Sequence, residues 1–254
     1  MSATNPVHHV RRTAHDMAKS IMTRIFGTSL LSIILITGMI TSCQGPRQEE
    51  EAAGISERTA MPEQEILKFL DTLFVYGQEH EMFNMPPGDG EFLRLCVAGS
   101  GVQRALEIGT SNGLSAIWIG LGLLESGGTL TTLEIDHEKA EEAKRNIRKV
   151  GMEDVIEVIE GDAFEVIPKL EGTFDFVHLD AWKEEYKRFF NTFNPKLERG
   201  GLIAAHNAVL MASYMQDYLD AVRADPEYIT ATVQTSNDGF ALSYKRNSHS
   251  RDND

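Results

Sequence analysis

The sequence predicts an α/β protein: a mostly parallel seven-stranded sheet with helices on both faces and an antiparallel hairpin at its C-terminal edge. Three patterns predict it. Apolar and β-branched runs alternate with helical periodicities between residues 105 and 205, as strands joined by crossover helices do. A glycine-rich turn follows the first of these runs. The last two runs are separated by a few residues, which suits a hairpin and is too short for a crossover.

The folded region is expected over residues 62–246. Pro62 opens a helix with Glu63 and Glu65 in its first turn and Ile66, Leu67, Phe69, Leu70, Leu73 and Phe74 on one face. The stretch Asn84 to Gly90 (NMPPGDG) breaks it, and a second short helix is expected through Glu91 to Ala98. Strands are expected at Ala105 to Ile108, Leu130 to Ile135, Ile156 to Glu160, Phe174 to Leu179, Leu202 to Ala205, Thr230 to Gln234 and Phe240 to Tyr244. Helices fall between the first five, at Leu114 to Leu124, His137 to Val150, Ala163 to Lys169 and Glu184 to Phe193.

Residues 1–43 form a leader. An apolar run from Ile25 to Ile40 follows Arg24 and ends in Ile40-Thr41-Ser42-Cys43, the order of a secretory signal and too short to span a bilayer comfortably. The ITSC ending resembles a bacterial lipoprotein box, which implies lipid on Cys43 and attachment to a membrane; a plain signal anchor or uncleaved tail is the alternative. The stretch before Met22 is long for such a signal, so Met17 or Met22 is a better start. Residues 44–61 are polar and acidic and read as a tether, and residues 247–254 as a disordered tail. Cys96, in FLRLCVAG, reads as a buried, inert thiol.

The net charge is -14, and beyond the leader there are 20 basic and 37 acidic residues. A nucleic acid would meet that field as repulsion, so small molecules are the expected partners.

In an open α/β sheet, ligands bind beyond the carboxyl ends of the strands, where strand order reverses. Glu107-Ile-Gly109-Thr-Ser111-Asn-Gly113 occupies the first such turn. A dinucleotide turn has G-x-G-x-x-G and sets a pyrophosphate on a helix N-terminus. Here the pattern is E-x-G-x-x-x-G, and a carboxylate at the strand end repels phosphate and suits an ammonium. The next motif, LTTLEID, ends in Glu134 and Asp136, where an acid can accept hydrogen bonds from both ribose hydroxyls. Asp162, in EGDAF, caps a helix beginning at Ala163 or faces an adenine, two compatible roles.

Six ordered motifs, LEIGTSNGLSAIWIGLGL, TTLEID, GDAFEVIPKL, FDFVHLDAWKEEY, RGGLIAAHN and NDGFALSYKR, together resemble the cation-dependent catechol and caffeoyl-CoA O-methyltransferase family over Pro62 to Arg246. The resemblance implies a Rossmann-like class I methyltransferase fold and S-adenosylmethionine as cofactor. It places Met85, Glu107, Gly109, Ser111, Gly113, Ser115 and Glu134 at cofactor-contacting positions, with Asp162, Ala163 and Asp180 near them. It further implies that Asp180 ligates a divalent cation and that Lys183 is the general base. A hard cation lowers the pKa of a bound hydroxyl, and a lysine whose own pKa is depressed by that cation and by burial can remove the proton. Without the resemblance, an N-capping aspartate and a solvent-exposed lysine would account for this pair.

One departure stands out. The family usually has a carboxylate where this sequence has His206, before Asn207. Neutral imidazole suits Mn, Fe or Zn better than Mg or Ca. Three readings stay open: a softer cation held by Asp180, His206 and Asn207; a metal-free enzyme with His206 as base; and His206 as a strand-end hydrogen-bonding residue. Ala181 stands where catechol methyltransferases carry a histidine. Trp182 and the loop Val209 to Tyr214 suggest a small aromatic or partly apolar acceptor, and no basic cluster for coenzyme A is evident.

The leading expectation is an O-methyltransferase acting on a hydroxylated small molecule, with room for a homodimer. A lipoprotein would lie where the cofactor is scarce, which raises the alternative of a membrane-tethered S-adenosylmethionine-binding protein that has lost turnover. An NAD-dependent oxidoreductase is disfavoured by the glycine spacing and the terminal hairpin. Without leader processing the protein is cytoplasmic.

Overall fold

The computed structural model describes residues 61–80, 82 and 84–247. The leader, nearly all of the tether and residues 248–254 lie outside the described residues.

Two helices precede the sheet. α1 (Glu63–Glu79) buries Ile66, Leu70 and Leu73 at helical spacing. α2 (Pro87–Ser100) starts four residues before the expected Glu91, because a proline at N1 lacks only an N–H that would have been unpaired anyway. Asp89 therefore belongs to a helical first turn and not to the connecting segment.

The alternating region forms β1 (Arg104–Ile108), α3 (Leu114–Ser126), β2 (Thr129–Glu134), α4 (His137–Val150), β3 (Ile156–Glu160), α5 (Ala163–Val166), β4 (Phe174–Leu179), α6 (Tyr186–Phe193) and β5 (Leu197–His206). A helix not expected from the sequence, α7 (Gln216–Ala224), follows and buries Tyr218, Leu219 and Val222. The hairpin is β6 (Tyr228–Val233) and β7 (Phe240–Lys245). Pro168 converts the end of the Ala163 to Lys169 segment to a 3-10 turn, and another, Lys183–Glu185, precedes α6.

The sheet order is β3-β2-β1-β4-β5-β7-β6. Strands β1 to β5 pair in parallel, and β7 runs antiparallel to both β5 and β6. Alternation along each strand sends successive residues to opposite faces. Ala105 enters one core with Leu70, Leu93, Ile117 and Ile147, while Leu106 enters the other with Phe190, Phe193 and Leu219. Cys96 packs against the first core, and burial pushes its thiol up to about 11, as an inert thiol requires.

Strand order reverses between β1 and β4. The turns leaving β1, β2, β4 and β5 therefore gather at one edge of the sheet, and that edge holds the site.

Candidate active site

The turn after β1 owes its glycine to backbone packing. Gly109 has φ 100°, and a Cβ there would lie 2.1 Å from the Asp180 carbonyl oxygen, so only glycine lets the β1 turn lie against the end of β4. Gly113, at φ 88°, caps α3 where a Cβ would meet the Ala143 backbone of α4 at 3.3 Å. Between them Ser111 takes a left-handed conformation at φ 49°. Its N–H donates to Glu134 Oε2 at 2.8 Å, and the Asp136 N–H donates to Oε1 at 3.0 Å. Glu134 thereby ties the β1 and β2 turns together, and the buried Ser111 hydroxyl is left without a partner. An orphaned hydroxyl beside a fixed carboxylate suits a polar ligand bound across these two turns, so the residues fit S-adenosylmethionine.

Other expected cofactor residues are distributed around this turn. Ser115 is buried in the first turn of α3, and Met85 is buried in the core just before α2. Asp162 accepts from the Phe164 N–H at 2.8 Å and caps α5, which begins at Ala163.

Glu107 behaves differently from its sequence reading. It is fully buried, with Oε2 accepting from the Thr132 hydroxyl at 2.6 Å and Oε1 lying 4.0 Å from His178 Nε2. Burial pushes its carboxyl up to about 8, against the Thr132 hydrogen bond, and pulls His178 down to about 4. Burial thus disfavours the charged form of each. The charge argument against phosphate therefore does not rest on Glu107 and passes to Glu134, at the crevice.

The reacting end gathers side chains from four parts of the chain. Asp180 follows β4 and caps no helix: its Oδ1 accepts from Lys183 Nζ at 2.7 Å and its Oδ2 from His206 Nδ1 at 3.1 Å. Lys183 is buried, not solvent-exposed, and also donates to the Ala181 carbonyl at 3.0 Å. The expected depression of its pKa depended on a bound cation as well as on burial, and burial by itself does not produce it. Burial pulls it down, but the Asp180 carboxylate outweighs burial and holds Lys183 above the usual lysine value. The same pairing holds Asp180 far below the usual carboxylate range despite its burial.

His206, at the end of β5, donates from Nε2 to Asp89 Oδ2 at 2.8 Å. Asp89 is wholly buried, accepts from the Ser236 hydroxyl at 2.8 Å and from Thr235, and is held below the ordinary carboxylate range by these bonds against the effect of burial. Ionised carboxylates only accept, so both ring nitrogens of His206 carry protons. Although burial lowers its pKa, the two aspartates raise it to about 9. An imidazolium has no lone pair with which to accept a proton, so His206 held in this pairing does not act as a general base.

The divalent cation implied by the family resemblance does not fit this donor set. Both ring nitrogens of His206 already lie within hydrogen-bond distance of carboxylate oxygens and Lys183 Nζ stands against Asp180 Oδ1, so an ion would have to part these pairs to bind. Asn207, at φ 60°, is left as the one neutral oxygen donor of the expected three. Asp89, His206 and Asp238 bring one ligand atom each within 4.8 Å of one another, but this grouping draws on the same Asp89 to His206 bond. Asp89, Thr235 and Ser236 carried no signal in the sequence reading.

A seven-stranded sheet of this order, with a reversed last strand and a polar crevice at the switch point, is the class I methyltransferase arrangement. The sequence profile described as O-methyltransferase matches residues 56–238. The chain is 33% identical over 173 residues to the catechol O-methyltransferase of Mycobacterium tuberculosis, covering 62% of this chain and 78% of that one. It is 31% identical over 187 residues to a caffeoyl-CoA O-methyltransferase of Populus kitakamiensis, covering 70% and 78%. An O-methyltransferase from Bacillus cereus, solved in complex with SAH, superposes with a TM-score of 0.65 at 25% identity, covering 74% of this chain and 93% of that one. The chain belongs to the O-methyltransferase family.

Proposed function

We propose that this S-adenosylmethionine-dependent O-methyltransferase methylates a hydroxyl of a small aromatic acceptor, a catechol or a close analogue, with Lys183 at the acceptor oxygen. The observation that carries the proposal is the buried Asp180–Lys183 pair at the carboxyl end of β4, beside the crevice built by Ser111 and Glu134. Trp182, Leu210 and Tyr214, in the segments that follow β4 and β5, stand exposed, apolar surface suited to an aromatic ring. Relatives named for catechol and caffeoyl-CoA support the same acceptor class.

Ser111, Glu134 and the neighbouring turns would hold S-adenosylmethionine, which would supply an electrophilic methyl group on sulfur. Lys183 serves as an ammonium: it binds the acceptor hydroxyl, favours its ionised form, and holds the resulting oxyanion for in-line attack. Asp180 fixes the Lys183 side chain and keeps it charged. The hydroxyl proton leaves to solvent at the rim. The exposed side chains keep the ring oriented and limit bulk water.

Calorimetry with S-adenosylmethionine and a methyl-transfer assay over hydroxylated aromatics test this. Lys183→Met is expected to lower kcat by about a hundredfold or more while cofactor affinity stays within about threefold. Cofactor binding without turnover of any hydroxylated acceptor would favour the tethered binding protein instead. The leader places the enzyme at a membrane through lipid on Cys43, which radiolabelled palmitate would report and Cys43→Ser would abolish.

A further inference from the structure

We propose that methyl transfer in this protein needs no divalent cation, because a fixed chain of side chains, Lys183 to Asp180 to His206 to Asp89, provides the positive charge beside the acceptor. The inference rests on the methyltransferase reading above and concerns how the acceptor end is built. His206 acts in it as a positioning residue.

Four observations carry it. Each ring nitrogen of His206 lies within hydrogen-bond distance of a carboxylate oxygen, Nδ1 of Asp180 and Nε2 of Asp89, so neither is free to face an ion. Asp89 arrives from α2, 117 residues away in sequence, and is wholly buried. A buried carboxylate is costly unless partnered, and the His206 ring nitrogen 2.8 Å away partners this one. Ser236 and Thr235 hydrogen-bond the Asp89 carboxylate, which fixes the oxygen that meets the imidazole. Finally, each carboxylate of the cluster already has a nitrogen partner: His206 bridges Asp89 and Asp180, and Lys183 meets Asp180. A dication entering it would have to part His206 from these carboxylates or displace Lys183.

The geometry also says what His206 does for the reaction. Asp180 receives Lys183 on one oxygen and His206 on the other, so the imidazolium sets the carboxylate that sets the lysine. Charge is thus delivered to the acceptor oxygen by Lys183, from a position that does not depend on an ion arriving.

The test uses the full chain. Mn(II), Mg(II) and Zn(II) are titrated by calorimetry with S-adenosylhomocysteine present, and Mn(II) also by electron paramagnetic resonance. No binding tighter than about millimolar is expected. EDTA should change the methyl-transfer rate less than about twofold, since no step uses the ion. Nitrogen-15 spectra of histidine-labelled protein should show one ring with both nitrogens protonated at pH 7, absent from His206→Gln. His206→Asp replaces the imidazolium with a carboxylate beside Asp180 and Asn207, and is expected to gain Mn(II) affinity at least about tenfold.

Micromolar, stoichiometric metal binding that His206→Gln removes would overturn the proposal, whether the ion sat toward Asp180 or toward Asp238. So would a rate abolished by EDTA and restored by Mn(II), or equal metal affinity in the parent and His206→Asp. Failure to bind S-adenosylmethionine would fall on the methyltransferase reading alone. The metal titration and the nitrogen-15 spectra need no acceptor and decide this proposal separately.

Discussion

Replacing Asp89 by asparagine should cost this protein stability out of proportion to so small a change. The side chain is wholly buried and meets the imidazolium of His206 at 2.8 Å, with the Ser236 hydroxyl on the same oxygen. The amide keeps the shape and one acceptor oxygen but removes the charge. His206 then stays buried with a single carboxylate, and one of the hydroxyls loses its acceptor. Breaking one side of a buried charged pair costs about 3 kcal/mol or more, and hydrogen bonds to charged groups contribute about 1.5–3 kcal/mol each. A net loss of about 3 kcal/mol is therefore expected. For a folded region of about 185 residues, unfolding entropy near 2.1 cal/mol/K per residue converts this to about 8 °C in Tm. Scanning calorimetry at pH 7 reads it directly.

The pH dependence supplies an internal control. The folded pKa of His206, raised to about 9 by the two aspartates against burial, lies above the ordinary imidazole value of 6.5. The stability it contributes is therefore complete below about 6.5 and is lost as pH rises through about 9. The gap between parent and Asp89→Asn should follow it, wide at pH 6 and narrow above pH 9. A variant melting within about 2 °C of the parent at pH 7, or a gap that widens with pH, would refute the pairing of Asp89 with a cation.

Three further outcomes follow from the same geometry. Gly109→Ala drives a Cβ to 2.1 Å from the Asp180 carbonyl oxygen at a φ of 100°, so it should lose several kcal/mol and yield little soluble protein, measured by expression and melting. Glu134→Gln keeps the shape of the side chain but loses its charge and leaves one acceptor oxygen for the two amides of Ser111 and Asp136. Calorimetry should show S-adenosylmethionine binding weakened by about 10–100-fold, with a Tm a few degrees below the parent's from the lost amide bond. Glu107→Gln tests the uncharged acid: a carboxyl raised from 4.5 to about 8 makes the parent lose stability as pH rises between those values. The glutamine variant has no such slope, and its Tm relative to the parent should climb through that window in melts from pH 4.5 to 8.5.

What the sequence disclosed followed from local chemistry. Alternation of strand and helix, Pro at helix starts and the carboxylates at strand ends located the sheet and its crevice, because each of those signals depends on neighbours a few residues away. The helix Gln216–Ala224 escaped, since only Tyr218, Leu219 and Val222 mark its buried face among polar residues. Glu107 was located and its charge misjudged, because its pKa is set by enclosure between β2 and β4, with Thr132 and His178. The hardest feature to read was Asp89. It sits among prolines and glycines with the look of a turn, and its partners lie 117 to 147 residues away. His206 could be flagged as unusual but not interpreted without that distant carboxylate.

The bonds from Asp89 to Thr235 and Ser236 bear on how the protein comes off the ribosome. The α2 helix is synthesised early and the β6–β7 connection is nearly the last part of the domain to emerge, 146 residues after Asp89. Until it emerges, a nascent chain has a buried-site carboxylate with neither hydroxyl and, before residue 206, no imidazolium. The sheet's first strands can pair during translation, but the acceptor end is assembled only at release. A chain that stops short of Thr235 lacks both hydroxyls that the Asp89 carboxylate accepts from.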